Sequence, residues 1–313
     1  MPGDSLIISR FADTAGVADS CCNEQLRRAA MPMYTEHSDL PVFFKILTFI
    51  LVLITAPVLY NRVKVKLARK LAMRKAVADL QLNMASYDAI LTRCNGYYCS
   101  LAPPQRLRFI ERVAVFTANK TFSCVDMQPD ERMPVLIAAA AVQISFGLNK
   151  FLLDFFDTIY IMQRQYSYGG YQKPFEGHVN STGIYLSWDN FMKGFENYTD
   201  GDNVGIHEMA HALAYVNFMA GANSDQDSGF IKRFYDFSNV ARPIFNSMQL
   251  GVPTLLNTYA ATNYNEFWAV AVETFFERSI QMKLEMPALY QSLCNLLNQD
   301  PLLPEKILQD TGA

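Results

Sequence analysis

Charge of one sign, cysteine and histidine are all in short supply in this chain. Its 27 lysines and arginines nearly balance its 30 acids, for a net charge of −3 over 313 residues, and only 18% of the residues are charged. There is no basic domain and no basic stripe interleaved with aromatics, which excludes the electrostatic footprint of a nucleic-acid-binding protein. The six cysteines, Cys21, Cys22, Cys94, Cys99, Cys124 and Cys294, are too sparse for a disulfide scaffold. Cys94 and Cys99 are close enough to pair in an oxidising compartment, but the further ligands of a zinc knuckle are missing. We read all six as thiols. The chain has no internal repeat and no low-complexity tract. Half of it is apolar, so one large domain or two smaller ones can bury a core.

One long apolar run is present. Residues 42–60 read VFFKILTFILVLITAPVLY, about long enough to cross a hydrocarbon layer of roughly 30 Å. Lys45 lies near one end, where it can snorkel to the interface, and Pro57 near the other, where a lost hydrogen bond is tolerable. A cleaved signal peptide fits poorly, because a long segment without a basic n-region comes first. A buried core helix is the competing reading. Before the run, Asp4, Asp13, Asp19, Glu24, Glu36 and Asp39 outweigh Arg10, Arg27 and Arg28. After it come Arg62, Lys64, Lys66, Arg69, Lys70, Arg74 and Lys75, with no acid until Asp79. The positive-inside rule then places the C-terminal side in the cytoplasm, in keeping with reduced cysteines. The expected organisation is a poorly structured segment at 1–40, with a short helix around 22–28, and a transmembrane helix at 41–60. A basic juxtamembrane helix at 61–94, able to lie against anionic lipid headgroups, and a globular domain at 95–313 follow. Residues 94–104, with Gly96 and the Pro103-Pro104 pair, read as the linker.

In the globular part, residues 106–120 and 133–147 read as helices, the second so apolar that it must be central. Residues 155–162 and 183–188 read as strands separated by a turn-rich loop at 165–174, and Asp189 is placed to cap the next helix. Helices are expected at 203–219, 227–248, 264–282 and 287–298. A small sheet followed mainly by helices makes the fold class α+β. The 183–188 strand is a candidate edge that holds peptide by strand addition, with an ordinary interior strand as the alternative.

Only four histidines occur: His37, His178, His207 and His211. Two of them frame the segment His207-Glu208-Met209-Ala210-His211, an H-E-x-x-H motif in a helical stretch. Histidines four apart project from one helix face, so both imidazoles can converge on a single Zn²⁺, while the adjacent glutamate is placed to take a proton from water. The competing reading is a surface helix that happens to carry two histidines. A hydrolytic zinc site usually has a third protein ligand. No histidine follows His211, His178 is a lone loop histidine more suited to hydrogen bonding, and Cys294 falls in an apolar terminal helix. A carboxylate remains. Residues 263–277, NYNEFWAVAVETFFE, carry Glu266, Glu273 and Glu277 on one helix face amid apolar neighbours. That stripe is either the solvent side of the helix or a buried metal face. Glu266 also stands three residues after Asn263, the spacing of a capping box, so spacing leaves its role open between cap and ligand.

The chain resembles the MtfA-like zinc peptidases of family M90, distant relatives of the anthrax lethal factor catalytic domain. The resemblance covers roughly residues 97–302. It rests on LSWDNF (186–191), NVGIHEMAHAL (203–213), TYAATNYNEFWAVAVETFFE (258–277), PALYQSL (287–293) and Asp300-Pro301. It implies a gluzincin-like, mainly helical domain with one zinc held by His207, His211 and Glu266. It also implies Glu208 as general base and Tyr259, seven residues before Glu266, facing the metal and donating to the oxyanion. The implied activity is aminopeptidase-like cleavage of peptides. The chain departs from the family at Ala214, where an aspartate is common, so that polar support for a ligand histidine must come from elsewhere, and Glu273 is the nearest candidate. The apolar run is a second departure, since the best-known members look soluble. The expected whole is a single-pass protein of the cell (inner) membrane, anchored in the bilayer through 42–60, with a cytoplasmic catalytic domain acting on a peptide or protein substrate. The alternative is a membrane-tethered regulatory protein that binds a partner, such as a transcriptional regulator, with little or no turnover. An intact Glu208 favours the enzyme, because a structural zinc site needs no base.

Overall fold

The long apolar run is helical throughout. In the computed structural model, which describes residues 40–303 except 168, 170–173, 198 and 222–225, helix α1 extends from Leu40 to Cys94. The expected segment at 1–40 and its short helix lie outside the described residues. The chain divides into two units, Met1–Val63 and Lys64–Ala313. In the first, Pro41–Asn61 is long and apolar enough to cross a membrane, with a mean hydropathy of 2.5 and none of it buried. Its two hydroxyls cause no polar defect: Thr48 Oγ1 donates to Phe44 O and Thr55 Oγ1 to Leu51 O, each at 2.7 Å.

The second unit is mainly helical with one small mixed sheet. Ala76, Tyr87 and Leu91, on the last turns of α1, belong to its core. Residues 94–104, expected as a linker, instead hold helix α2 (Gly96–Ser100), capped by Asn95, whose Oδ1 accepts from Tyr98 N at 2.7 Å. The reason is burial: Tyr98 is only 1% exposed and anchors the segment in the core. Helix α3 (Pro103–Asn119) starts at the diproline, which suits a first turn whose N–H groups need no intrahelical partner.

Strand β1 (Thr121–Val125) was not expected; five residues without clear alternation carry little signal. Helix α4 (Arg132–Ser145) is buried from Met133 to Ser145 apart from Pro134, as its apolarity on all sides requires. Strands β2 (Thr158–Met162), β3 (Gly177–Asn180) and β4 (Gly183–Ser187) complete a sheet in the order β1-β2-β4-β3. The first three neighbours run parallel; β3 pairs antiparallel with β4, Asn180 opposite Gly183. Asn180 Oδ1 accepts from Thr182 N at 2.8 Å and forms the tight turn between them. The 183–188 strand is therefore interior, flanked by β2 and β3, and β3, a stretch expected as loop, forms the edge beside it. A GIYLS segment covered on both sides and both faces has no free ladder groups to offer.

Helix α5 (Trp188–Glu196) is capped by Ser187, not by Asp189, which lies in its first turn. Helices α6 (Val204–Phe218) and α7 (Ser228–Gln249) follow, capped by Asn203 and Asp227. A short 3-10 turn (Thr258–Ala261) leads into α8 (Tyr264–Glu277). The single helix expected over 264–282 breaks at Arg278 (φ −122°, ψ 38°), and α9 (Ser279–Glu285) resumes beyond it. There the Arg278 guanidinium donates to Leu255 O at 3.2 Å, and Ser279 Oγ takes the Phe275 carbonyl at 2.6 Å. Helix α10 (Pro287–Leu297) ends at Asn298 in the left-handed conformation. Cys94, Cys99, Cys124 and Cys294 are free thiols.

Candidate metal centre

Helix α6 is held in place at its N-terminus and within the H-E-x-x-H motif. Asn203 Oδ1 accepts from Ile206 N at 3.0 Å, while its Nδ2 donates to Gly194 O at 3.0 Å and to Glu277 Oε1 at 2.9 Å. At mid-motif, Trp268 Nε1 of α8 donates to Ala210 O at 2.9 Å, which ties the two helices together. The glutamate stripe of α8 therefore faces α6 and not solvent.

Each glutamate meets a different part of that helix. Glu266 Oε2 lies 3.0 Å from His207 Nε2 and 3.3 Å from His211 Nε2. Glu273 meets the other nitrogen of the same ring, His207 Nδ1. Glu277 accepts from Asn203 and from Gly201 N at 2.9 Å, behind the start of α6. The capping box is only half formed: Asn263 Oδ1 accepts from Asn265 N at 2.9 Å and Glu266 N at 3.1 Å, but the Glu266 carboxylate turns to the histidines.

His207, His211 and Glu266 thus offer three ligand atoms within 4.8 Å of one another. The two Nε2 atoms face each other at 3.0 Å with a carboxylate oxygen beside them. A cation between the three would take one lone pair from each converging atom, and two imidazoles with one carboxylate are a donor set that suits Zn²⁺. Glu208 supplies a second sign. It is 5% exposed, borders the same cleft, and its Oε2 is buried without a hydrogen-bond partner among the described residues. A buried unpaired carboxylate oxygen is costly, and a metal–water site next to it would explain its retention.

The electrostatics follow from burial and proximity. Burial pushes the Glu208 carboxyl up to about 7, against the pull of His207 and His211. Burial also acts on Glu266, but the hydrogen bonds of His207 and His211 win and hold it down at about 2. For His207, burial opposes charge, yet the Glu273 and Glu266 carboxylates keep its pKa well above the ordinary imidazole value. Tyr259, in the 3-10 turn, has its ring centroid 6.1 Å from that of His207. Burial and then the carboxylates of Glu266, Glu208 and Glu273 raise its pKa, so the phenol keeps its proton and remains a donor.

His178 borders the same cleft but supplies none of the converging ligand atoms. It sits on β3 with Nδ1 2.8 Å from Tyr166 Oη and Nε2 3.2 Å from Asn180 Nδ2, stacked on Tyr185 at 4.3 Å between centroids. The preceding residue matters more. A Cβ at Gly177 would lie 2.5 Å from Glu208 Cγ and 2.7 Å from its Oε1, so only glycine lets the edge strand touch the glutamate. Sequence reasoning missed Gly177, because GHVN is too short to read as a strand. It also missed the reach of Trp268, and Arg242 on α7, which borders the cleft of about 720 Å³ around the triad.

Two histidines from one helix and a glutamate from a second form a group that could hold a metal ion, with a buried glutamate beside it at an open cleft, the donor set that metal-dependent hydrolases use. Residues 69–297 match the model of the glucose-regulated metallo-peptidase M90 family, and the chain belongs to that family. It is an MtfA-like member, and the family implies a metal cofactor. It is 26% identical over 234 residues to the uncharacterized protein slr2042 of Synechocystis, covering 69% of this chain and 85% of that one. It is 28% identical over 141 residues to Mlc titration factor A of Klebsiella pneumoniae (41% of this chain, 50% of the relative). With the Mlc titration factor A of Yersinia pestis it shares 31% over 126 residues (38% and 45%). The chain therefore spans about half the length of the Mlc titration factor A relatives it matches.

Proposed function

We propose that the protein is a membrane-anchored, zinc-dependent peptidase with a gluzincin-like site. His207, His211 and Glu266 hold the metal, Glu208 is the general base and Tyr259 the oxyanion donor. The observation that carries this reading is the buried Oε2 of Glu208, without a hydrogen-bond partner among the described residues, beside the three converging ligand atoms. When bound, zinc supplies Lewis acidity toward the scissile carbonyl and lowers the pKa of water. Glu208 takes the proton of the attacking water and passes it to the leaving amine. The protonated Tyr259 donates to the oxygen on which negative charge develops. Glu273, on the far nitrogen of His207, fixes the ring's tautomer and orientation. The exposed edge of β3, which touches Glu208 through Gly177, is where an extended peptide can add as a strand. Aminopeptidase-like cleavage of short peptides is the activity that the resemblance implies, and a cleft of about 720 Å³ suits ligands of that size.

The name of the relatives, Mlc titration factor A, favours a second reading: a tethered regulator that binds a transcriptional regulator with little or no turnover. Metal analysis and hydrolysis of aminoacyl chromogenic substrates by the purified full chain in detergent separate the two. One zinc per chain, with turnover lost to a chelator and restored by zinc, is the expected result. Bound zinc without turnover on any peptide supports the regulator, and no zinc at all sinks both the site and the mechanism.

We further propose that Pro41–Asn61 is a membrane span in the inner membrane with the catalytic unit on the cytoplasmic side; the apolar length of that helix and the run of basic residues from Arg62 to Lys75 support this reading. A reporter fused to the C-terminus should report a cytoplasmic location. A periplasmic or extracellular signal overturns the orientation.

A further inference from the structure

The cleft that holds the triad continues along a wall built by Ala214, Tyr215, Phe218, Phe234 and Trp268. Among the described residues bordering it, Arg242 is the one lysine or arginine. It is exposed on α7, eight residues and so about two turns beyond Phe234, on the same helix face. Its guanidinium lies 4.8 Å from the ring centroid of Tyr264, the first residue of α8 and two before Glu266. No carboxylate among the described residues pairs with it. A cation–π contact holds a guanidinium in place without neutralising it. Arg242 is therefore a positive charge resting on the Tyr264 ring, with no carboxylate partner among the described residues, on the wall that also carries Glu266.

Such a group has one obvious chemical complement. The planar fork of arginine matches a carboxylate in a bidentate manner, and its charge stands out against the Glu208 and Glu266 carboxylates of the same cleft. An extended peptide advances only about 3.3–3.6 Å per residue. A substrate a few residues long, with its scissile bond at the triad, can thus bring its own carboxylate to the Tyr264 wall.

We propose that Arg242 is a specificity-determining residue that binds a carboxylate of the substrate, so that the enzyme selects short peptides bearing a free C-terminus or an acidic side chain. This rests on the peptidase reading of the site. It goes beyond that reading by naming the substrate's charge and the residue that reads it. Because Arg242 is exposed, solvent limits the gain to about 10-fold in affinity, the low end for a hydrogen bond between charged groups.

The test uses the full chain in detergent, with Glu208→Gln added so that bound peptide is not consumed, and titration calorimetry at low salt. The probes are Ala-Phe-Ala-Ala with a free carboxylate, the same peptide as its C-terminal amide, and the amide of Ala-Phe-Ala-Glu. The free acid should bind about 10-fold more tightly than the plain amide. That preference should disappear when Arg242→Gln is added and persist in part with Arg242→Lys. If the Glu-containing amide matches the free acid, the carboxylate can come from a side chain; if it behaves like the plain amide, the C-terminus is the source. Equal binding of all three peptides, or an acid preference that survives Arg242→Gln, overturns the proposal. Hydrolysis by the chain with Glu208 intact is followed in parallel. Turnover without carboxylate preference removes Arg242 from the account and leaves the peptidase reading standing. A carboxylate preference in binding without any turnover supports Arg242 and removes the peptidase. Binding of none of the peptides removes both.

Discussion

Glu208→Gln is expected to abolish measurable hydrolysis while one zinc remains bound per chain. Glu208 supplies none of the three converging ligand atoms, and its Oε2 has no partner among the described residues, so removing its basicity should leave the proposed ligand set unchanged. A general base contributes about 10²–10⁴-fold, and the loss should fall in kcat with zinc content and peptide binding preserved. The fold should tolerate the change. The unfolded carboxyl ionises near its ordinary value, whereas burial keeps the folded one protonated up to about 7. Ionisation therefore favours the unfolded metal-free chain, and stability falls as pH rises through that window and stays low above it. Glutamine cannot ionise, so at pH 8 the metal-free variant should melt no lower than the metal-free parent. Loss of zinc from the Gln variant would show that Glu208 is a ligand and not the base.

Glu266→Ala is the second change with a large expected effect: zinc should be lost on dialysis, and activity with it. Glu273→Gln should do less, weakening metal affinity by about 10–100-fold, as removal of a group that orients a ligand histidine does. The ranking comes from which nitrogen each acid meets. Glu266 stands with the two Nε2 atoms that face each other, whereas Glu273 holds the opposite side of one ring. Metal analysis of both variants decides it. Unchanged zinc in Glu266→Ala together with loss in Glu273→Gln would exchange the two assignments.

Much of this site is written locally in the chain. The i, i+4 spacing of His207 and His211 needs only a helix to bring both rings to one face, and Asn203 caps that helix from a position fixed by sequence. The central place of α4 follows from its apolarity, and the helical run at 41–61 from its length and composition. Short elements were harder. β1 lacks clear alternation and β3 has only four residues, and α2 is anchored partly by contacts far along the chain, since Tyr97 packs on Phe146 and Phe276 and donates to Gln299 Oε1 at 2.7 Å.

The sequence by itself determined that Glu266, Glu273 and Glu277 share one stripe of a helix, because helical periodicity is a local property. It did not determine what that stripe faces. Only the packing of α8 on α6, locked by the Trp268–Ala210 hydrogen bond, gives each acid its own partner: the two histidine Nε2 atoms, the far nitrogen of His207, and the Asn203 cap. The strand order likewise made β3 the edge and β4 the interior, and the approach of α7 to α8 set Arg242 over Tyr264. These are contacts between segments tens of residues apart, fixed by the way whole helices and strands bury their apolar faces, and no local pattern encodes them.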